Sequence, residues 1–171
     1  MFELGGKTAL VTGATRGIGE ASARALDAAG ARVILSGRTT SDLVRVASEL
    51  KNEPIMLEAD LSPPGAGTQH AAQVLEATGG EGVNIIVNNA GIPMRRTPEA
   101  LSEEDFDLVF SINVRSLLML TIGLVEPMKR RGEGSIVNIS SVAGLRGPLG
   151  RVAYAGTKGA VDAMTRALAT D

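Results

Sequence analysis

The chain has 171 residues, enough for one domain with a sizeable core. Apolar residues make up 44% and charged residues 21%, and a net charge of -2 lacks the basic excess that a nucleic-acid partner demands. Cysteine is absent and His70 is the only histidine, which excludes disulfides and Cys/His metal sites and fits a reducing, cytoplasmic setting.

The opening MFELGGKTALVTG has neither the charged start nor the long apolar stretch of a signal peptide. Its segment KTALVTG (7–13) is a short apolar run ending in glycine and reads as a buried strand. GIGEASARALDAAG (17–30) has helical spacing and stops at Gly30, a residue suited to a C-cap. ARVILSG (31–37) reads as a second buried strand, and a helix follows over 41–51. The cycle repeats with strand PIMLEAD (54–60), helix GTQHAAQVLEAT (67–78), strand VNIIVNNAG (83–91) and a long helix over 102–130. His70 falls in the first of these two helices, as an ordinary surface or helix residue. Within the long helix the most apolar run, 117–125, is too short to cross a bilayer and contains Thr121 and Gly123, so no membrane partner is expected. Strand GSIVNISS (134–141) and a helix through YAGTKGAVDAMTRALA (154–169) complete the pattern. The loop DLSPPGAG (60–67), with two prolines and two glycines, is the expected flexible stretch.

Apolar strands alternating with helices predict an α/β fold: one parallel sheet covered on both faces, in three layers. Right-handed crossovers make such a sheet doubly wound, and ligands then sit at the C-terminal ends of the strands. The motifs fall at those ends. TGATRGIG (12–19) follows the first strand, and its Gly13, Gly17 and Gly19 would let a phosphate approach the backbone at a helix N-terminus. The spacing differs from G-x-G-x-x-G, and a glycine-rich tight turn is the plainer alternative. After the second strand, Gly37 stands where an acidic residue would bind adenosine ribose hydroxyls, and Arg38 comes next. With Arg16 in the glycine loop, Arg38 favours the 2′-phosphate of NADP(H) over NAD(H).

Asp60 ends the third strand, either as an acceptor for an adenine amino group with Leu61 against the ring, or as a turn former. NNAG (88–91) suits a backbone passing close to a cofactor, although Asn88 equally suits a tie between strands. Asn113 is costly in so apolar a helix unless its hydrogen bonds are made, as a satisfied core amide or as the holder of an ordered water. Ser140 and Ser141 end the fifth strand. Tyr154, the only tyrosine, precedes Lys158 by one helical turn, so phenol and ammonium share a face.

In that order, TGATRGIG, NNAG, Asn113, NISS and YAGTK resemble the short-chain dehydrogenase/reductase family along the whole chain. The resemblance implies a single NAD(P)-binding Rossmann domain over 1–171. Its cofactor residues would be Gly13, Thr15, Arg16, Gly17, Ile18, Gly19, Arg38, Asp60, Leu61, Asn89, Ala90 and Gly91, joined by Tyr154 and Lys158. Catalysis would fall to Asn113, Ser141, Tyr154 and Lys158. Tyr154 would be the general acid in carbonyl reduction and the base in alcohol oxidation, and Lys158 would bind the nicotinamide ribose and ease loss of the phenol's proton. Ser141 would hydrogen-bond the substrate oxygen, and Asn113 would position a water leading from Lys158 to solvent.

The implied substrate is a small carbonyl or secondary alcohol. A 3-oxoacyl group on an acyl carrier ranks first, followed by sugar, polyol and steroid substrates; Arg95 and Arg96 could meet an acidic substrate or carrier, although exposed arginines more often do nothing specific. Family members continue beyond the helix of Tyr154 and Lys158 with further strands. The resemblance therefore implies a fragment or truncated product lacking the last strands, with one edge of SIVNIS unpaired. A full-length protein would be a homo-oligomer, a tetramer, and a nucleotide-binding module without turnover is the competing class.

Overall fold

The computed structural model describes residues 3–170. Five strands form one parallel sheet: β1 (Thr8–Thr12), β2 (Arg32–Gly37), β3 (Ile55–Glu58), β4 (Ile85–Asn88) and β5 (Ser135–Asn138), in the spatial order β3-β2-β1-β4-β5. The helices between them are α1 (Gly17–Ala28), α2 (Thr40–Ala47), α3 (Ala66–Ala77), α4 (Glu103–Phe110), α5 (Leu117–Arg131), the short α6 (Ala143–Arg146) and α7 (Val152–Leu168). The chain builds outward from β1 to β3, then returns past β1 to start β4. The crevice between β1 and β4 is thus the topological switch point.

Alternation along each strand sends side chains to two separate cores. Leu10, Ile34 and Ile86 pack against Ala71 and Val74 of α3 and Leu120, Leu124 and Met128 of α5. Val11, Val33, Leu35 and Val87 face Ala23 of α1 and Leu43 and Val46 of α2. Strands β1, β2 and β4 are covered on both sides and read as unbroken apolar runs. The edge strands are not: β3 and β5 alternate between half-buried and exposed positions, which corrects the expectation of uniform burial.

The long helix is continuous but irregular. Ser102 caps it by accepting from Asp105 N–H, and residues Ser111–Ser116 between α4 and α5 take π-helical geometry. The resulting helix, Glu103–Arg131, is long and apolar enough by length and composition to cross a membrane, a property that a count over 117–125 misses. In the fold its Val109, Leu120 and Leu124 are fully buried against protein.

Three other expectations change. Helix α2 stops at Ala47, short of 51, because the backbone N–H groups of Lys51 and Asn52 turn to donate to the Asp27 carboxylate. The loop over 60–67 is pinned: Leu61 is buried and its carbonyl accepts from Ser116 Oγ at 2.7 Å. His70 is helical as expected but not at the surface, being 1% exposed.

Candidate active site

Loops at the C-terminal ends of β1 to β4 enclose a groove of about 460 Å³. From the loop after β1 come Gly13, Thr15, Arg16, Gly17 and Ile18; Arg38 follows β2, Asp60 and Leu61 follow β3, and Asn89, Ala90 and Gly91 follow β4. Ser36, Thr39, Asp42, Ala59, Ile92 and Ile112 also line it and were not singled out in the sequence. Gly19, Tyr154 and Lys158 do not.

Local geometry explains the glycines. Gly13 and Gly17 have φ of +63° and +55°, left-handed values that a side chain disfavours. Gly19 is needed for space: a Cβ there would overlap Gly13 O and Asn89 Nδ2, so its absence lets α1 close on the turn after β1. The first turn of α1 has no side-chain cap from Arg16, leaving its N–H groups and positive dipole end facing the groove. A bare backbone cradle with free donors fits a dinucleotide pyrophosphate.

The loops are fastened to one another. Asn89 N and Ala90 N both donate to Thr12 Oγ1 at 3.0 Å, and Asn89 Nδ2 donates to the carbonyls of Thr12 and Gly13 at 2.9 and 3.1 Å. Asn88 ties β4 to β5 by donating to Asn138 Oδ1, and to α5 by donating to Thr121 Oγ1. Asp60 accepts from Ser62 N–H at 2.9 Å, forming a turn, and this bond together with nearby Arg38 holds its pKa below the ordinary value. Turn forming and groove lining thus coexist in one side chain. Arg45 donates to Thr15 O at 2.7 Å and pairs with Glu20, whose pKa is lowered to about 2 by Arg45 and Arg24.

Beyond β5 the second set of residues converges. Asn113, 1% exposed in the π-helical segment, accepts from Ile92 N at 2.9 Å and donates to Ile92 O at 3.0 Å and Thr157 Oγ1 at 3.2 Å. Thr157 in turn donates to Tyr154 O at 2.7 Å. A single buried amide therefore clamps the groove wall to the helix that carries Tyr154. Tyr154 packs against the buried cluster of Met94, Val109 and Ala153. Lys158 Nζ lies 5.9 Å from the ring centroid and donates to Ile139 O at 2.6 Å; burial lowers its pKa, with Asp162 opposing. Ser140 Oγ donates to Lys158 O, whereas Ser141 Oγ accepts from Ala143 N and keeps its own hydrogen free. Thr12 and Thr157 are the supporting residues that sequence reading passed over; Thr157 had one cue, its place in the YAGTK segment.

A doubly wound parallel sheet with a glycine-rich crevice at its switch point defines a nucleotide-binding α/β protein of the Rossmann type. The family model described as short chain dehydrogenase matches residues 7–171. Nodulation protein G of Rhizobium sp. (strain N33) is 41% identical over 171 residues, covering 100% of this chain and 69% of the relative. The 3-oxoacyl-[acyl-carrier-protein] reductase of Rickettsia bellii (strain RML369-C) is 34% identical, over 99% of this chain and 68% of that protein. A metagenomic short-chain oxidoreductase solved in complex with NADP superposes with a TM-score of 0.91 at 32% identity, covering 98% of this chain and 76% of that one. The chain belongs to the short-chain dehydrogenase family, oxidoreductases that act on CH–OH groups with NAD(P).

Proposed function

We propose that the protein is an NADP(H)-dependent reductase that interconverts a carbonyl and a secondary alcohol, with a 3-oxoacyl group as the leading substrate. The observation that carries this reading is the Asn113–Thr157 clamp, which ties the helix of Tyr154 and Lys158 to Ile92 of the groove wall. Gly13, Thr15, Gly17, Ile18 and the Asn89–Gly91 turn would hold the dinucleotide, which when bound supplies or accepts the hydride. Tyr154 gives its proton to the carbonyl oxygen in reduction and recovers it in oxidation. One hydrogen of Lys158 is spent on Ile139 O, which leaves two for ribose hydroxyls, and its charge favours negative charge developing on the phenol oxygen. Ser141, with its hydrogen free, is the better donor to the substrate oxygen than Ser140. Both amide hydrogens of Asn113 are engaged, so any water it helps to hold meets an acceptor oxygen.

Two features support NADP(H). Arg16 and Arg38 line the groove, and a Cβ on Gly37 would come within 2.8 Å of Thr15 Cγ2, so an acidic side chain there would have to displace its neighbours. The NADP-bound relative and the acyl-carrier reductase among the similar proteins agree with this reading. A cytoplasmic homo-oligomer without membrane or nucleic-acid partners completes the proposal, with exposed Phe106, Leu108 and Ile122 on α4 and α5 supporting self-assembly.

The decisive measurement uses a 3-oxoacyl thioester and NADPH. Tyr154→Phe should lower the rate at least about 100-fold while leaving NADPH binding intact. Arg38→Ala should weaken NADPH about tenfold or more and leave NADH unaffected. Cofactor binding without reduction in the unaltered protein would reduce the chain to a nucleotide-binding module.

A further inference from the structure

We propose that the rim of the site reads an oxyanion carried by the substrate, through Arg95 and Arg151. The inference rests on the reductase reading only in taking Tyr154 as the point where the carbonyl is held. Two loops that are distant in sequence meet here: Arg96 and Arg151 form an isolated parallel bridge, and Arg96 N donates to Gly150 O at 2.8 Å. That bridge sets Arg96 beside Arg151, with Arg95 next to Gly150. Arg96 is already engaged, its Nε donating to the Asp105 carboxylate at 2.9 Å and its Nη1 to Arg95 O.

Arg95 and Arg151 have no carboxylate partner among the described residues. The guanidinium carbon of Arg151 lies 5.7 Å from the Tyr154 ring centroid. Arg95 runs along Gly150, where an added Cβ would sit 3.7 Å from its Cγ and 4.0 Å from its Nε. Two guanidinium groups without a carboxylate partner therefore lie on adjoining loops, one of them over the Tyr154 ring, in a chain whose net charge is -2. Like charges gathered this way repel, and a bound oxyanion relieves the repulsion while accepting the paired N–H donors of each fork. Arg151 can stack on the ring and still present those edges. The ligand class is an oxo acid or oxo phosphate with its anionic group a short chain from the carbonyl, a class that would take the leading place from the uncharged 3-oxoacyl thioester.

Three small ketones separate the possibilities: acetoacetate, hydroxyacetone phosphate and the uncharged methyl acetoacetate. Binding would be measured by saturation-transfer NMR on the full chain with NADP⁺, and reduction separately with NADPH. The proposal expects at least one of the two anions to bind about tenfold more tightly than the ester. That preference should vanish in Arg95→Gln/Arg151→Gln, return in part in Arg151→Lys and fade at high salt. The carboxylate and phosphate arms identify which oxyanion is preferred. Equal binding of ester and anions, or a preference that survives both substitutions, overturns it. An anion preference in binding with no reduction of any ketone keeps the rim and sinks the reductase reading; reduction of all three at equal efficiency does the reverse. Arg95→Gln alone, on an exposed loop, guards against a folding defect and should weaken the preference by itself.

Discussion

His70 is an imidazole with nowhere to put a proton. Its Nδ1 is 2.9 Å from Gln73 Oε1, its Nε2 is buried without a partner, and burial lowers its pKa. The unfolded chain titrates at about pH 6.5, so between that value and the lower folded pKa the unfolded state binds more protons. Stability is therefore full above about pH 6.5 and declines as the pH falls below it. Urea midpoints should drop between about pH 7.5 and 5.5 in the unaltered protein and stay flatter in His70→Leu. Equal slopes would mean that the imidazole is not held neutral. The lowered carboxylates, Glu20, Glu49, Asp60, Glu99, Glu104 and Glu133, hold their contributions until the pH falls below their ordinary range and so leave this window clear. The burial of His70 was not legible, because AGTQHAAQ presents small and polar residues on every side. Asn113 was legible as an amide whose bonds must be made, since so apolar a helix penalises it otherwise. What the sequence withheld was its partners, a backbone segment 21 residues away and a threonine 44 residues away.

At the scale of elements, the ends of helices depend on distant ties more than on local spacing. Asp27, 6% exposed at the end of α1, accepts from Lys51 N, Asn52 N and Asn52 Nδ2 and so bends the chain into the approach to β3. Asp27→Ala strands two backbone donors at a half-closed turn and should cost about 2–3 kcal/mol in urea unfolding. A loss under about 0.5 kcal/mol, the usual size of a surface change, would show that water replaces the carboxylate without penalty. Nothing in DLVRVASELK signals this tie, which is why the periodic pattern ran α2 on to 51 while the helix ends at Ala47. The π-helical stretch and α6 were hidden for different reasons. An inserted residue barely disturbs an apolar period inside a long helix, and a segment of four residues has no period to detect. The succession of strands and the strand-end motifs were legible because the central parallel strands are apolar runs and glycine runs mark where the backbone must turn, whereas the spatial order β3-β2-β1-β4-β5 came only with the structure.

The two edges of the sheet differ as surfaces for the whole molecule. At the β3 edge, Pro54 and Glu53 lie just before the strand, and Glu58 is hydrogen-bonded by Thr40, so charge and a missing donor blunt that side. Among the described residues β5 pairs only with β4, and its SIVN carries no charge. Val137 is 44% exposed, and a groove of about 400 Å³ runs beside the strand past Ile136, Asn138 and Leu168. An uncharged strand that pairs on one side among the described residues invites another strand to pair with it. Concentration-dependent association beyond an oligomer built on α4 and α5, followed by light scattering, should therefore be driven from β5. Val137→Lys should suppress it at little cost to the monomer, because the side chain it replaces is already half in water. Met56→Lys, at a comparably exposed position on the other edge (43%), should leave association unchanged. If the two lysines acted alike, net charge would be the cause; only a difference between them assigns the association to the open face of β5.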